Sequence, residues 1–182
     1  MVRLETGRLV IRDHNKDDLH SFHALVSDRE VMRFLPEIYC DSMEESEESL
    51  RIGIEEAEKE HREKYFFVII EKGSDQYIGD IGFTVTSKET GHLGYFINKR
   101  FWGHGYTTEA ARRVLDFAFE EAGLHKVVTG CLKENIGSES VMKKCGMIKE
   151  ADLAEHVWHE GKWKDRLEYR LLRKEWEIMT AS

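Results

Sequence analysis

At 182 residues the chain is long enough for one domain with a real core and short for two independent ones. Hydrophobic residues at 41% and aromatics at 10% exclude a disordered chain. A formal charge of -8 argues against a nucleic-acid binder, which must neutralise phosphates with Lys and Arg, and is compatible with a cationic partner or with solubility alone.

Leu9 and Ile11 mark a first strand from Leu4 to Arg12, and Asn15 with Asp18 caps a helix carrying Leu19, Phe22, Leu25 and Val26 on one face. Ser42 opens a second helix, predicted to run through an acidic stretch to about Lys64. Three strands follow, Tyr65–Glu71, Tyr77–Thr86 and His92–Ile97. Turn residues at Lys72–Asp75 and Lys88–Gly91 make them an antiparallel meander. From Thr107 to Ala122 the residues Ala110, Ala111, Val114, Leu115, Ala118 and Phe119 recur at helical spacing, and Gly123 ends the run. Lys126–Leu132 reads as a strand, Ser138–Lys144 as a short helix, and Met147–Leu172 as a long hairpin turning at Glu160-Gly161.

No linker, repeat or low-complexity tract divides the chain, so a single domain over residues 1–182 is expected. No apolar run approaches the ~20 residues that cross a bilayer, and Met1-Val2-Arg3-Leu4-Glu5 lacks a signal peptide's apolar stretch. The expectation is a cytoplasmic protein with neither membrane nor nucleic acid as partner. Cys40, Cys131 and Cys145 lack the pairing of a zinc site or a disulfide framework and are expected to be reduced packing residues.

The segment Gly94 to Ala110 joins a strand, a glycine-bearing loop and a helix start. Glycines let backbone N–H groups turn toward an anion, and the first helical turn adds unpaired N–H groups and a positive dipole end, so the junction suits a pyrophosphate without any lysine. A Rossmann fingerprint would need a small residue where Thr108 stands and a parallel βαβ unit; a P-loop would need Gly-Lys-Ser/Thr where Tyr106-Thr107 stands.

Trp102-Gly103-His104-Gly105-Tyr106-Thr107-Thr108-Glu109-Ala110 resembles the acetyl-CoA loop of the GNAT superfamily, in the branch that includes ribosomal-protein N-terminal alanine acetyltransferases. Further matches follow in order along nearly the whole chain: Leu4-Glu5-Thr6-Gly7-Arg8-Leu9, Ile78-Gly79-Asp80-Ile81-Gly82-Phe83, Asn135-Ile136-Gly137-Ser138 with Lys144-Cys145-Gly146-Met147, and Gly161-Lys162-Trp163-Lys164-Asp165. The superfamily pattern Gln/Arg-x-x-Gly-x-Gly/Ala fits in two registers, Arg100 with Gly103 and Gly105 or Trp102 with Gly105 and Thr107. The second is preferred because it puts Gly105 at the sharpest turn, although it accepts Trp and Thr where the pattern has other residues.

The resemblance implies a mixed α+β, GNAT-like fold: a mostly antiparallel sheet of about seven strands, splayed between the fourth and fifth, with helices on both faces. Acetyl-CoA would enter the splay. Trp102, Gly103, His104, Gly105, Tyr106, Thr107 and Thr108 would cradle its phosphates, and the backbone of Phe96 and Ile97 would pair with the pantetheine arm like an added strand. Asn135 and Ser138 match the family's Asn-x-x-Ser beside pantetheine and thioester; a helix cap is an equal alternative.

Acetyl transfer needs a neutral amine, a donor for the developing oxyanion and a proton for the leaving thiolate. A backbone N–H near Phe96 or Ile97 suits the oxyanion. The Tyr that many members use as acid corresponds to Met142 here, which makes Ser138 the substitute. Asp80 or His92 could relay the amine's proton, His92 with the better-matched pKa, unless both are merely solvated or the amine arrives neutral. His20 with His23, and His156 with His159, lack a third ligand, so no metal is expected. Trp158 and Trp163 either line an acceptor pocket or brace their hairpin. The implied acceptor is a protein N-terminal amine, with polyamine or aminoglycoside amines behind it. A non-catalytic acyl-CoA-binding sensor is the rival, and a homodimer is compatible with the resemblance.

Overall fold

A computed structural model describes residues 1–181. The first predicted strand is two: β1 (Arg3–Glu5) and β2 (Leu9–Asp13) form a hairpin. The Thr6 N–H donates to the Leu9 carbonyl at 3.0 Å, and the Leu9 N–H returns to the Thr6 hydroxyl at 2.9 Å. The Asn15–Asp18 capping box forms, but around a 3-10 turn (Lys16–Asp18) that leads into α1 (Leu19–Val26), where Phe22, Leu25 and Val26 are buried.

Ser42 and Glu45 box the start of α2 (Met43–Ala57). This helix stops short of Lys64 because the Glu56 side chain, buried near its end, accepts the N–H groups of Glu63 and Lys64 at 3.2 and 3.3 Å and turns the chain into β3 (Lys64–Glu71). Next come β4 (Tyr77–Ser87), β5 (Thr90–Ile97), α3 (Tyr106–Glu120), β6 (Lys126–Leu132), α4 (Ile136–Lys144), β7 (Ile148–His159), β8 (Lys162–Leu172) and α5 (Arg173–Thr180). In the last hairpin Glu160 and Gly161 both take positive φ, at 49° and 76°, the pairing a tight turn between twisted strands requires.

Among the described residues the sheet has eight strands in the order β1-β2-β3-β4-β5-β6-β8-β7. The parallel pair, β5 with β6, matches Thr90 to Lys126, Gly91 to Val127 and His92 to Val128, while β5 itself continues to Ile97. This is the pair for which the sequence predicts a splay.

Packing groups the chain into two units, Met1–Thr84 with Gly94–Val114, and Val85–Leu93 with Leu115–Ser182. In the first, α1 and α2 pack on each other and α2 on β3, around Phe22, Leu25, Val26, Met32, Leu50 and Phe96. In the second, α4 rests on β6 and α5 on β8. Trp176 of α5 is buried against Phe119, rings 5.4 Å apart, and its indole N–H donates to Asp116 at 2.8 Å. Cys40, Cys131 and Cys145 are all buried, as packing residues would be. Among the described residues, no helix is long and apolar enough to cross a membrane.

Candidate functional site

At the end of β5 the Asn98 N–H donates to the Ile78 carbonyl at 2.9 Å, and the Asn98 side chain caps a 3-10 turn at Lys99–Phe101. Gly79, beside this strand end, has no room for a Cβ, which would fall 2.4 Å from the Phe96 carbonyl. The Trp102 indole N–H donates to the Ile97 carbonyl at 2.7 Å, so the ring folds back on the strand it follows. That carbonyl belongs to the Phe96–Ile97 backbone expected to pair with the pantetheine arm, and it already accepts this bond.

Gly103 and Gly105 then take φ of 78° and 80°, the left-handed region that favours glycine. The Glu109 N–H donates to the Gly105 carbonyl at 3.0 Å as α3 begins. The N–H groups of Tyr106 and Thr107 lie upstream of it, without an i-4 carbonyl inside the helix, and carry the positive end of the α3 dipole. His104, exposed, places Nδ1 2.9 Å from the Trp102 carbonyl. This arrangement of glycines and helix start fits a pyrophosphate.

Asn135 is the cap of α4: its side-chain oxygen accepts the Ser138 N–H at 3.1 Å. The Ser138 hydroxyl is half-buried within hydrogen-bonding reach of the Cys131 thiol, which burial and the nearby Glu139 push above its ordinary value. Met142 is buried, with no proton to give. Tyr169 donates to Glu139 at 2.7 Å; that bond and the Lys143 ammonium hold the carboxyl down at about 2, while burial pushes the phenol up.

The two candidate bases occupy opposite environments. Asp80 lies inside β4, fully buried, with one oxygen 2.7 Å from His14 Nε2 and the other accepting the Tyr77 hydroxyl at 2.7 Å. It is neither at a strand end nor solvated. His92 on β5 keeps part of its surface in solvent, while the groups crowded around its ring and the Arg166 guanidinium lower its pKa, against the pull of Glu168. Register puts these residues on one face of the sheet: His92 pairs with Val128, Val128 with Arg170, and Gly130 with Glu168. A Cβ on Gly130 would lie 2.6 Å from the Glu168 carboxylate and 2.7 Å from Arg166, so this glycine makes room for both.

Trp158 and Trp163 are direct cross-strand partners, edge-to-face at 5.5 Å, and both are more than half exposed. His159 gathers with Glu134 and Glu160, with possible ligand atoms within 4.8 Å of one another, but Lys164 already brings its cation to Glu134. Sequence reasoning assigned no role to His14, Arg166 or Glu168, and it showed Arg8 and Glu109 only as members of the matching motifs. His14 meets Asp80, and Arg8 meets Glu109, across long stretches of chain, whereas Arg166 and Glu168 are near neighbours on β8; the local signals were Gly130 within a strand and Asp80 within an apolar run.

Residues 8–148 match the acetyltransferase (GNAT) domain family. YnaD, an uncharacterised N-acetyltransferase of Bacillus subtilis, is 31% identical over 176 residues, covering 96% of this chain and 99% of that one. Among solved structures, spermidine N-acetyltransferase from Vibrio cholerae in complex with CoA and spermine superposes with a TM-score of 0.83 at 22% identity, over 94% of this chain and 99% of that one. Ribosomal-protein-S5-alanine acetyltransferase from Vibrio fischeri does so with 0.83 at 19%, over 97% and 99%.

Proposed function

The chain belongs to the GNAT acetyltransferase family and is an acetyl-CoA-dependent N-acetyltransferase; we propose that its acceptor is a primary amine, a protein N-terminal amine ahead of a polyamine or aminoglycoside amine. The observation that carries the reading is the pair of left-handed glycines, Gly103 and Gly105, immediately before the first rung of α3. Backbone N–H groups and a helix dipole at that point favour a pyrophosphate. On this reading Trp102 to Thr108 hold the phosphates, Phe96 and Ile97 lie along the pantetheine arm, and Asn135 orients the α4 start that carries Ser138.

Acetyl-CoA supplies a thioester carbonyl open to attack by an amine. A backbone N–H at Phe96 or Ile97 would stabilise the negative charge that develops on its oxygen, since a donor fixed in a strand needs no reorganisation. His92, held below the ordinary imidazole value, is neutral near pH 7 and can take the ammonium proton. Asp80 has both oxygens engaged and is assigned to holding His14 and Tyr77 instead. As the C–N bond forms and the C–S bond breaks, the proton released by the attacking nitrogen would pass to the departing sulfur through the Ser138 hydroxyl, a relay Met142 cannot provide.

The similar structures are named for an alanine of a ribosomal protein and for spermidine; an alanine N-terminal amine and a polyamine are both cationic in water, and the formal charge of -8 suits either. The test is calorimetric binding of acetyl-CoA to wild type and Gly105→Trp, then thiol release with alanine-starting peptides, spermidine, spermine and an aminoglycoside. Binding lost in a folded Gly105→Trp, with release for the peptides alone, is the expected result. Release for polyamines alone would reverse the acceptor order, and no binding by wild type would overturn the assignment of the loop.

A further inference from the structure

Arg8, in the turn between β1 and β2, reaches the start of α3 across 101 residues of sequence. Its Nε and a terminal nitrogen meet Glu109 Oε2 at 2.7 and 2.6 Å, and its other terminal nitrogen donates to the His104 carbonyl at 3.1 Å. The guanidinium also lies over the Tyr106 ring, 4.4 Å from its centroid. From the same turn, the Arg8 N–H and the Thr6 hydroxyl donate to Glu109 Oε1 at 3.0 and 2.6 Å. The Tyr106 hydroxyl is in turn anchored on Glu71, and the Arg8 carbonyl accepts the Lys72 N–H at 2.8 Å.

The His104 carbonyl and the Gly105 N–H belong to one planar trans peptide and point in opposite directions. A donor that holds the carbonyl therefore sets where the N–H points. Gly105 has a wide choice of backbone angles, and without a hold on that peptide the loop would have to be ordered by the ligand itself. Glu109 offsets the charge of Arg8, so the guanidinium serves the loop by geometry more than as a counter-ion. The pair is partly exposed, with side chains at 48% and 22%, and exposed ion pairs contribute little to global stability.

We propose that Arg8 is a positioning residue for acetyl-CoA binding: clamped by Glu109, it orients the His104–Gly105 peptide so that the Gly105 N–H faces the pyrophosphate. The proposal rests on the reading of Trp102 to Thr108 as the pyrophosphate loop. Arg8→Ala should raise KM for acetyl-CoA and the calorimetric Kd for CoA about tenfold, leave kcat within about twofold, and move the unfolding midpoint little. With S-acetylpantetheine, which lacks the pyrophosphate, kcat/KM should be unchanged. Arg8→Lys should not rescue, because a single ammonium lacks the planar fork that serves Glu109 and the His104 carbonyl together.

An equal loss with both donors would make Arg8 merely structural and overturn the proposal, as would an unchanged Kd for CoA or full rescue by lysine. Failure of wild type to bind CoA would instead refute the loop assignment.

Discussion

His14 and His92 are both surrounded by charged groups, yet their pKa values move in opposite directions. Burial pulls His14 down, but the carboxylates of Asp80 and Asp18 outweigh it and push the imidazole up to about 9. Phe22 and Phe66 pack around its ring, both at 5.8 Å, and Arg12 grips Asp18 with two bonds of 2.8 Å. His14 is thus favoured as a cation in the core at neutral pH. At His92 dehydration and Arg166 act together, and Glu168, spent on Arg166, does not reverse them. Burial alone does not decide whether a histidine is charged; the sign follows from whether a carboxylate touches the ring, as Asp80 does at 2.7 Å from His14, or a cation faces it, as Arg166 does at His92.

The strongest way to break the contrast is His14→Ala, which leaves Asp80 buried beside a hole. The expected loss is about 3–5 kcal/mol of unfolding free energy, read by urea titration at pH 7. Next comes pH itself. Because the folded pKa of His14 is raised from 6.5 to about 9, its stabilisation is complete below the lower value and is lost as pH rises through the higher one. Wild type should weaken over that window by on the order of 3 kcal/mol, and a His14→Gln variant that still folds should lose most of the slope.

For the other histidine, His92→Gln should lower kcat/KM by about 10²-fold and remove the acidic limb of the pH–rate profile with little change in unfolding. In wild type that limb should lie below pH 6.5, since the base is lost only as pH falls through a lowered pKa. The smallest effect sharpens the comparison most. Arg166→Gln should move the acidic limb to higher pH, because it removes a neighbouring cation and frees Glu168 to face His92; an unmoved limb would show that Arg166 does not tune this histidine.

Much of the architecture was legible because it is written in local pattern. The apolar spacing from Ala110 to Phe119 predicts α3, Glu160-Gly161 predicts the last turn, and Asn15 with Asp18 predicts a cap that forms around a 3-10 turn. Where the pattern misled, a long-range partner had intervened. The acidic run after Ala57 looks helical until Glu56 captures Glu63 and Lys64. Asp80 looks like a solvated strand end until His14 and Tyr77 close on it. The α5 helix depends on Trp176 finding Asp116 and Phe119, which no spacing within the tail announces.

By itself, the sequence made the strand–loop–helix junction legible and, with the motifs that flank it, the resemblance to the GNAT family and its acetyl donor, because glycines set before an amphipathic helix are a local pattern. Only the tertiary structure decided which carboxylate is buried, which histidine carries a charge and what holds the loop in place. Those properties are set by dielectric and by neighbours a few ångströms away, and chain folding, not chain order, chooses the neighbours.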